Sequence, residues 1–104
     1  MTTREILLKA ADLIEPEGKW TQGAYARTVD GTSQLVPNDA SCCFCAVGAL
    51  IRLGGTLSDR VATDACLVLG RVLRCRVSDW NDDPRRTQAE VVAALRKAAA
   101  LAED

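Results

Sequence analysis

A chain of 104 residues, 48% of them apolar, has the size and composition of one domain that buries a core without a metal or disulfide framework. Thirteen basic and 14 acidic side chains leave a formal charge of -1 with no long run of either sign, so neither a polyanion nor a membrane surface is called for. There is no histidine, which excludes a protease-like cysteine dyad.

Thr2-x-x-Glu5 has capping-box spacing, and Ile6, Leu7, Ala10, Leu13 and Ile14 follow at helical intervals. A first helix therefore runs to about Glu15, before Pro16 and Gly18. From Ala24 to Val36 the period changes: Tyr25, Arg27 and Val29 alternate with Ala26 and Thr28, Asp30-Gly31 is a two-residue turn signal, and Gln34-Leu35-Val36 reads as the return strand. Pro37-Asn38-Asp39 is a loop, and Ser41 is placed to cap a helix over Cys42 to Leu53. That stretch begins with ten residues free of charge, Cys42 to Ile51. It is apolar all round, as a helix enclosed by its neighbours must be, and far shorter than the about 20 residues that cross a membrane. Gly54-Gly55 ends it.

Ser58 is positioned to cap a third helix with Val61, Ala62, Ala65, Cys66, Leu69, Val72 and Leu73 on its apolar face. Its end is open to two readings, because Gly70 weakens the helix while Leu73, Cys75 and Val77 alternate with Arg74 and Arg76 as in a brief edge strand. Ser78 to Pro84 has loop chemistry. Thr87-x-x-Glu90 then repeats the capping box before a last helix with Val91, Val92, Leu95, Ala98 and Ala102 inward. The expected fold is a single α+β domain, residues 1–104, mostly helical: about four helices around a buried central helix, with one short β-hairpin.

Three motifs stand out in order: Trp20-Thr21-Gln22-Gly23-Ala24-Tyr25-Ala26-Arg27, Cys45-Ala46-Val47-Gly48-Ala49-Leu50, and Trp80-Asn81-Asp82-x-Pro84-x-Arg86-Thr87. With these the chain resembles, over nearly its whole length, a family of small uncharacterised proteins from bacteria and their phages, a domain of unknown function. The resemblance implies a shared fold and transfers no activity. It also implies variation between Thr56 and Val77, so the cysteines and arginines of that segment belong to this chain rather than to the family.

The cysteines are the first candidate site. Cys42 and Cys45 have C-x-x-C spacing, and Cys66 and Cys75 would be needed to complete a four-thiolate site. On a continuous helix nine residues leave Cys66 and Cys75 on opposite faces, and the C-x-x-C lacks the loop residues that shape a zinc knuckle. Core packing is the preferred reading, so no metal and no cofactor is expected; a helix N-terminus at Cys42 or Cys43 would activate a thiol.

The second candidate is a pair of aromatic loops. Trp20 and Gln22 with Tyr25 and Arg27, and Trp80, Asn81 and Asp82 with Arg86, combine large contact area with hydrogen-bonding groups. Equally, a tryptophan beside a turn closes the end of a small core while Asx residues bond their own backbone. If the first and last helices pack antiparallel, both loops share one end of the domain, where Arg27 or Arg86 could pair with Asp82 or with an acidic partner. Asp82-Asp83 as a catalytic or metal-binding pair is disfavoured, since adjacent side chains point apart.

The third is the arginine group Arg71, Arg74, Arg76, Arg85 and Arg86. A helix-turn-helix reading would send the helix from Ser58 into a DNA groove, but Asp59 and Asp64 would then face phosphates, so nucleic acid is an unlikely partner. The five cysteines, odd in number and crowded, suit reduced thiols in a cytoplasmic protein, and Met1 to Glu5 lacks a signal-peptide start.

The reading that follows is a small non-catalytic binding or regulatory protein with a protein partner. The phage association of the resemblance makes a host protein the natural target. Its rival is a small enzyme or ligand site near Tyr25, Arg27, Cys45, Trp80 and Asp82, and the two differ in whether those groups converge on one concave pocket. A nucleic-acid-binding regulator is the second alternative.

Overall fold

The computed structural model describes residues 1–54 and 60–103. In chain order the elements are α1 (Thr3–Ile14), β1 (Ala26–Arg27), β2 (Ser33–Gln34), β3 (Cys43–Phe44), α2 (Ala46–Gly54), α3 (Arg60–Leu73), α4 (Val77–Asn81) and α5 (Gln88–Leu101). The protein is thus a small, mostly helical α+β fold, with five helices and a three-stranded antiparallel sheet among the described residues.

Both capping boxes form. The Thr2 hydroxyl accepts the Glu5 N–H and the Thr87 hydroxyl accepts the Glu90 N–H, each glutamate reaching back to the cap backbone. The two capped helices lie antiparallel. Arg4 at the start of α1 donates to the Ala99 and Ala102 carbonyls at the end of α5 (3.1 and 2.8 Å). At the opposite end Gln88 donates to the Ile14 and Pro16 carbonyls just past α1 (2.6 and 2.7 Å). Each long side chain thereby closes carbonyls that a helix C-terminus leaves open.

Against α1 and α3 lies α2. Ala46 to Ile51 are all buried, joined in the core by Ile6, Leu7, Ile14, Leu69, Val91 and Leu95. The central helix is where the uncharged run places it, but it is shorter than its composition suggests. Cys43 and Phe44 form a strand that pairs with β1, and the helix starts at Ala46 rather than Cys42. An apolar run without periodicity does not separate a buried strand from a buried helix. Nor does Ser41 cap it: its hydroxyl bridges Gln34 and the Asn38 N–H in the preceding loop.

The hairpin turns through three residues, Val29-Asp30-Gly31, rather than the two-residue Asp30-Gly31 turn expected: the register Arg27↔Ser33 sets Thr28 opposite Thr32, the Thr28 N–H donates to the Thr32 carbonyl (2.9 Å), and Gly31 takes the left-handed position at φ +87°. Its return strand is Ser33–Gln34, and Leu35 and Val36 lie beyond it. The sheet order is β2-β1-β3, so β2 is an edge. On the far side of β3, the Phe44 N–H donates to the Lys19 carbonyl (2.9 Å) and the Phe44 carbonyl accepts the Thr21 N–H (3.0 Å), which ties the Trp20 segment to the sheet.

Of the two readings left open for residues 71–77 the helical one holds: α3 continues to Leu73, Arg74 turns the chain at φ +59° with its N–H on the Gly70 carbonyl (2.8 Å), and Val77 begins α4. Trp80 and Asn81 accordingly sit on a short helix rather than in a loop. The Ser58 cap and the Asp59 side chain lie outside the described residues, as does Gly55.

These placements fix an expected contrast. Leu50 is buried at the centre of α2, so Leu50→Ala should cost about 2 to 5 kcal/mol, whereas exposed Arg74→Ala should cost under about 0.5. Arg74→Gly should instead stabilise by about 0.5 to 1 kcal/mol, since glycine enters the left-handed region without the clash of a Cβ. Paired denaturant midpoints measure all three.

Candidate functional site

The two motif segments meet. The Trp20 indole N–H donates to Asn81 Oδ1 at 2.9 Å, and the Gln22 amide donates to the Asn81 and Asp83 carbonyls at 2.9 and 2.8 Å. The Gly23 N–H donates to Asp82 Oδ1 at 3.0 Å. These bonds span about 60 residues of sequence and lock the segment after α1 onto the C-terminal end of α4, as the antiparallel packing of α1 and α5 requires.

Asn81 is the centre of the joint. It is 0% exposed, and all four of its hydrogen-bonding positions are used. Oδ1 accepts from Trp20 and from the Ala46 N–H (3.1 Å), and Nδ2 donates to the Thr21 carbonyl (3.1 Å) and to Asp82 Oδ1 (3.0 Å). One amide thus joins three segments: the Trp20 segment, the start of α2 and the end of α4. Among the described residues no buried side-chain polar atom lacks a partner.

The arginines support this joint from outside. Arg27 donates to Thr21 Oγ1 and to the Gln22 carbonyl (both 3.0 Å) and to the Gly31 carbonyl (3.2 Å). Arg86 lies over the Trp80 ring, 4.0 Å from its centroid, donates to the Trp80 carbonyl (3.0 Å) and pairs with Glu90 (3.1 Å). Neither arginine forms an ion pair with Asp82 among the described residues, contrary to expectation. Arg27 is drawn to backbone oxygens of its own hairpin, and Arg86 is held at helical spacing by Glu90.

The start of α2 carries two further constraints. The Cys45 N–H donates to the Tyr25 carbonyl (3.1 Å), and Cys45 Sγ accepts the Gly48 N–H (3.2 Å) in the role of a helix cap. A Cβ on Gly48 would lie 1.7 Å from that same Tyr25 carbonyl oxygen, so only glycine lets the strand and the helix approach this closely. Cys45, rather than Cys42 or Cys43, is the thiol at the helix start. Burial pushes it up to about 11, the opposite of an activated nucleophile. In timed alkylation of the native protein, exposed Cys75 should therefore react first and Cys45 last, as mass spectrometry of peptides would show.

Tyr25, Cys45 and Asp82 line one cleft of about 330 Å³ together with Ser33, Leu35 and Ser78. Trp80 and Arg27 do not line it. The sequence places Leu35 only in the return strand and gives Ser33 and Ser78 no role, because an isolated serine in a polar stretch carries no pattern. The hairpin beside the cleft exposes Val29 (89%), Leu35 (87%) and Val36 (62%) to solvent. Cys66 and Cys75 also line a common groove, with Arg71 and Arg76. The turn at Arg74 folds Cys75 back, so the opposite-face argument from a continuous helix does not hold. Among the described residues no group of three or more cysteine, aspartate or glutamate side chains is arranged to hold a metal ion, and no helix is long and apolar enough to cross a membrane.

A family model described as a family of unknown function (DUF6197) matches residues 1–101. No curated protein and no solved structure matches the chain.

Proposed function

The chain belongs to this family of unknown function, and from its geometry we propose that it is a non-catalytic binding protein that docks a protein partner on the hairpin and the cleft beside it. One observation carries the reading. The polar groups of Trp20, Gln22, Arg27 and Asn81 are engaged within the motif segments and the hairpin, while the hairpin holds out Val29, Leu35 and Val36. Three large apolar side chains so exposed on one short arm are what a binding surface offers and a merely soluble surface avoids. In this reading Trp20, Gln22, Arg27, Trp80, Asn81 and Arg86 form the rigid platform, and Tyr25 and Asp82 face the partner from the cleft.

The crowded, odd set of cysteines supports a cytoplasmic setting. The motif resemblance to bacterial and phage proteins supports a regulatory act on a host protein. A photoreactive benzoylphenylalanine at position 35 tests the proposal in a bacterial cytosol. Cross-linking to one discrete protein is expected from position 35 and not from position 8 on α1. Equal cross-linking from both positions, or none from 35, would count against it.

The second reading is a small-ligand or enzymatic site. The convergence of Tyr25, Cys45 and Asp82 on one cleft favours it. The protonated state that burial imposes on the Cys45 thiol weighs against nucleophilic use. A ligand site would tolerate Leu35→Asp better than Tyr25→Phe, and a protein-docking surface the reverse.

A further inference from the structure

The open edge of the sheet and the cleft beside it have one geometry in common. The Thr28 N–H donates to the Thr32 carbonyl and the Arg27 carbonyl faces β3, where it accepts the Cys42 N–H, so in the antiparallel register Arg27↔Ser33 is the non-bonded pair and the Ser33 N–H and carbonyl point away from β1. Neither atom has a partner among the described residues, and β2 is the edge strand. An edge of this kind pairs with an extended segment from another chain.

The cleft then decides what that segment carries. Ser33 and Gln34 of the edge strand and Leu35 just beyond it line the cleft with Tyr25, Ser78 and Asp82. Asp82 Oδ1 accepts the Gly23 N–H and the Asn81 amide; its other oxygen is engaged by no described residue, and no described cation pairs with it. Arg27, of the neighbouring motif, is committed to Thr21, Gln22 and Gly31. The lining thus combines Asp82 with the neutral polar residues Tyr25, Ser33, Gln34 and Ser78, the Gln34 amide being already engaged by Asn38 and Ser41, and with apolar Leu35, and it contains no basic side chain.

Resting on the docking reading above, we infer that β2 and this cleft take an extended peptide segment of the partner. Its backbone pairs with Ser33, and a lysine or arginine side chain lies along Leu35 and Tyr25 to meet Asp82. A long aliphatic stem with a cationic tip matches an apolar wall ending in a carboxylate, and the local charge excludes an acidic segment.

A displayed random-peptide library selected on the immobilised intact protein tests the inference. Enriched peptides are expected to combine β-branched residues with one lysine or arginine. Synthetic copies of an enriched peptide should bind roughly tenfold more weakly when that residue is norleucine, and correspondingly lose to Asp82→Asn. Asp82→Asn retains Oδ1 for both of its bonds, so the joint should stay closed, and an unchanged melting curve is the control. Ser33→Pro removes the outward N–H at an edge that tolerates proline and should abolish binding. Enrichment that depends on Leu35 but shows no basic residue, or indifference to Asp82→Asn, overturns the inference while leaving the docking reading intact. Failure to enrich any peptide overturns the inference as well, and cross-linking from position 35 then decides the docking reading on its own.

Discussion

Replacing Gly48 with alanine should cost about 3 kcal/mol or more and lower the melting temperature by roughly 10 to 20 °C. The added methyl would sit 1.7 Å from the Tyr25 carbonyl oxygen and 2.6 Å from its carbon. Both are backbone atoms, so no rotamer change relieves the contact. The strand would have to withdraw from α2, and with it would go the Cys45 N–H bond to that same carbonyl. Glycine is otherwise a poor helix residue, and Gly48→Ala on an open helix would be stabilising. A neutral or stabilising result in thermal denaturation would mean that the Tyr25 backbone does not lie against α2.

Asn81→Ala should be nearly as costly, about 3 to 5 kcal/mol, for a different reason. It removes little apolar surface, but the Trp20 indole, the Ala46 N–H and the Thr21 carbonyl all lose a partner at a site with no exposure. Asn81→Asp separates the two halves of the amide. It preserves the acceptor for Trp20 and Ala46, removes the donor to Thr21, and sets a second carboxylate beside Asp82. Burial and a like charge raise the pKa of such a group in the folded state, so the variant is penalised when ionised. Its deficit at pH 7 should shrink as pH falls through that raised value, where the wild type shows no matching gain. Denaturation of both proteins at pH 7 and pH 5 measures the difference.

Much of this architecture is legible in the chain. Thr2 with Glu5 and Thr87 with Glu90 mark both outer helices because capping chemistry is local. Asp30-Gly31 marks the turn for the same reason, and the charge-free run marks the central helix because enclosure leaves no room for a charge. The convergence of the Trp20 and Trp80 segments also follows, once the capped helices are set antiparallel. What does not follow is set by non-local partners. Cys43 and Phe44 become a strand because β1 lies alongside them, and α4 is concealed by Asx-rich chemistry that also suits a loop. The role of Asn81 depends on the backbones of Thr21 and Ala46, some 60 and 35 residues away, which no pattern of side chains reveals. Gly48 had a visible signal, a glycine inside an apolar helix, which commonly marks close backbone approach.

The division of labour between joint and surface is the central claim, and retention of the partner by Leu35→Asp tests it most directly. Leu35 is 87% exposed, so this change should shift the melting temperature by no more than about 1 to 2 °C. Measured well below that temperature, co-purification of the protein that cross-links from position 35 should fall at least about tenfold. Partner retained at the wild-type level by a normally folded Leu35→Asp protein would contradict the account.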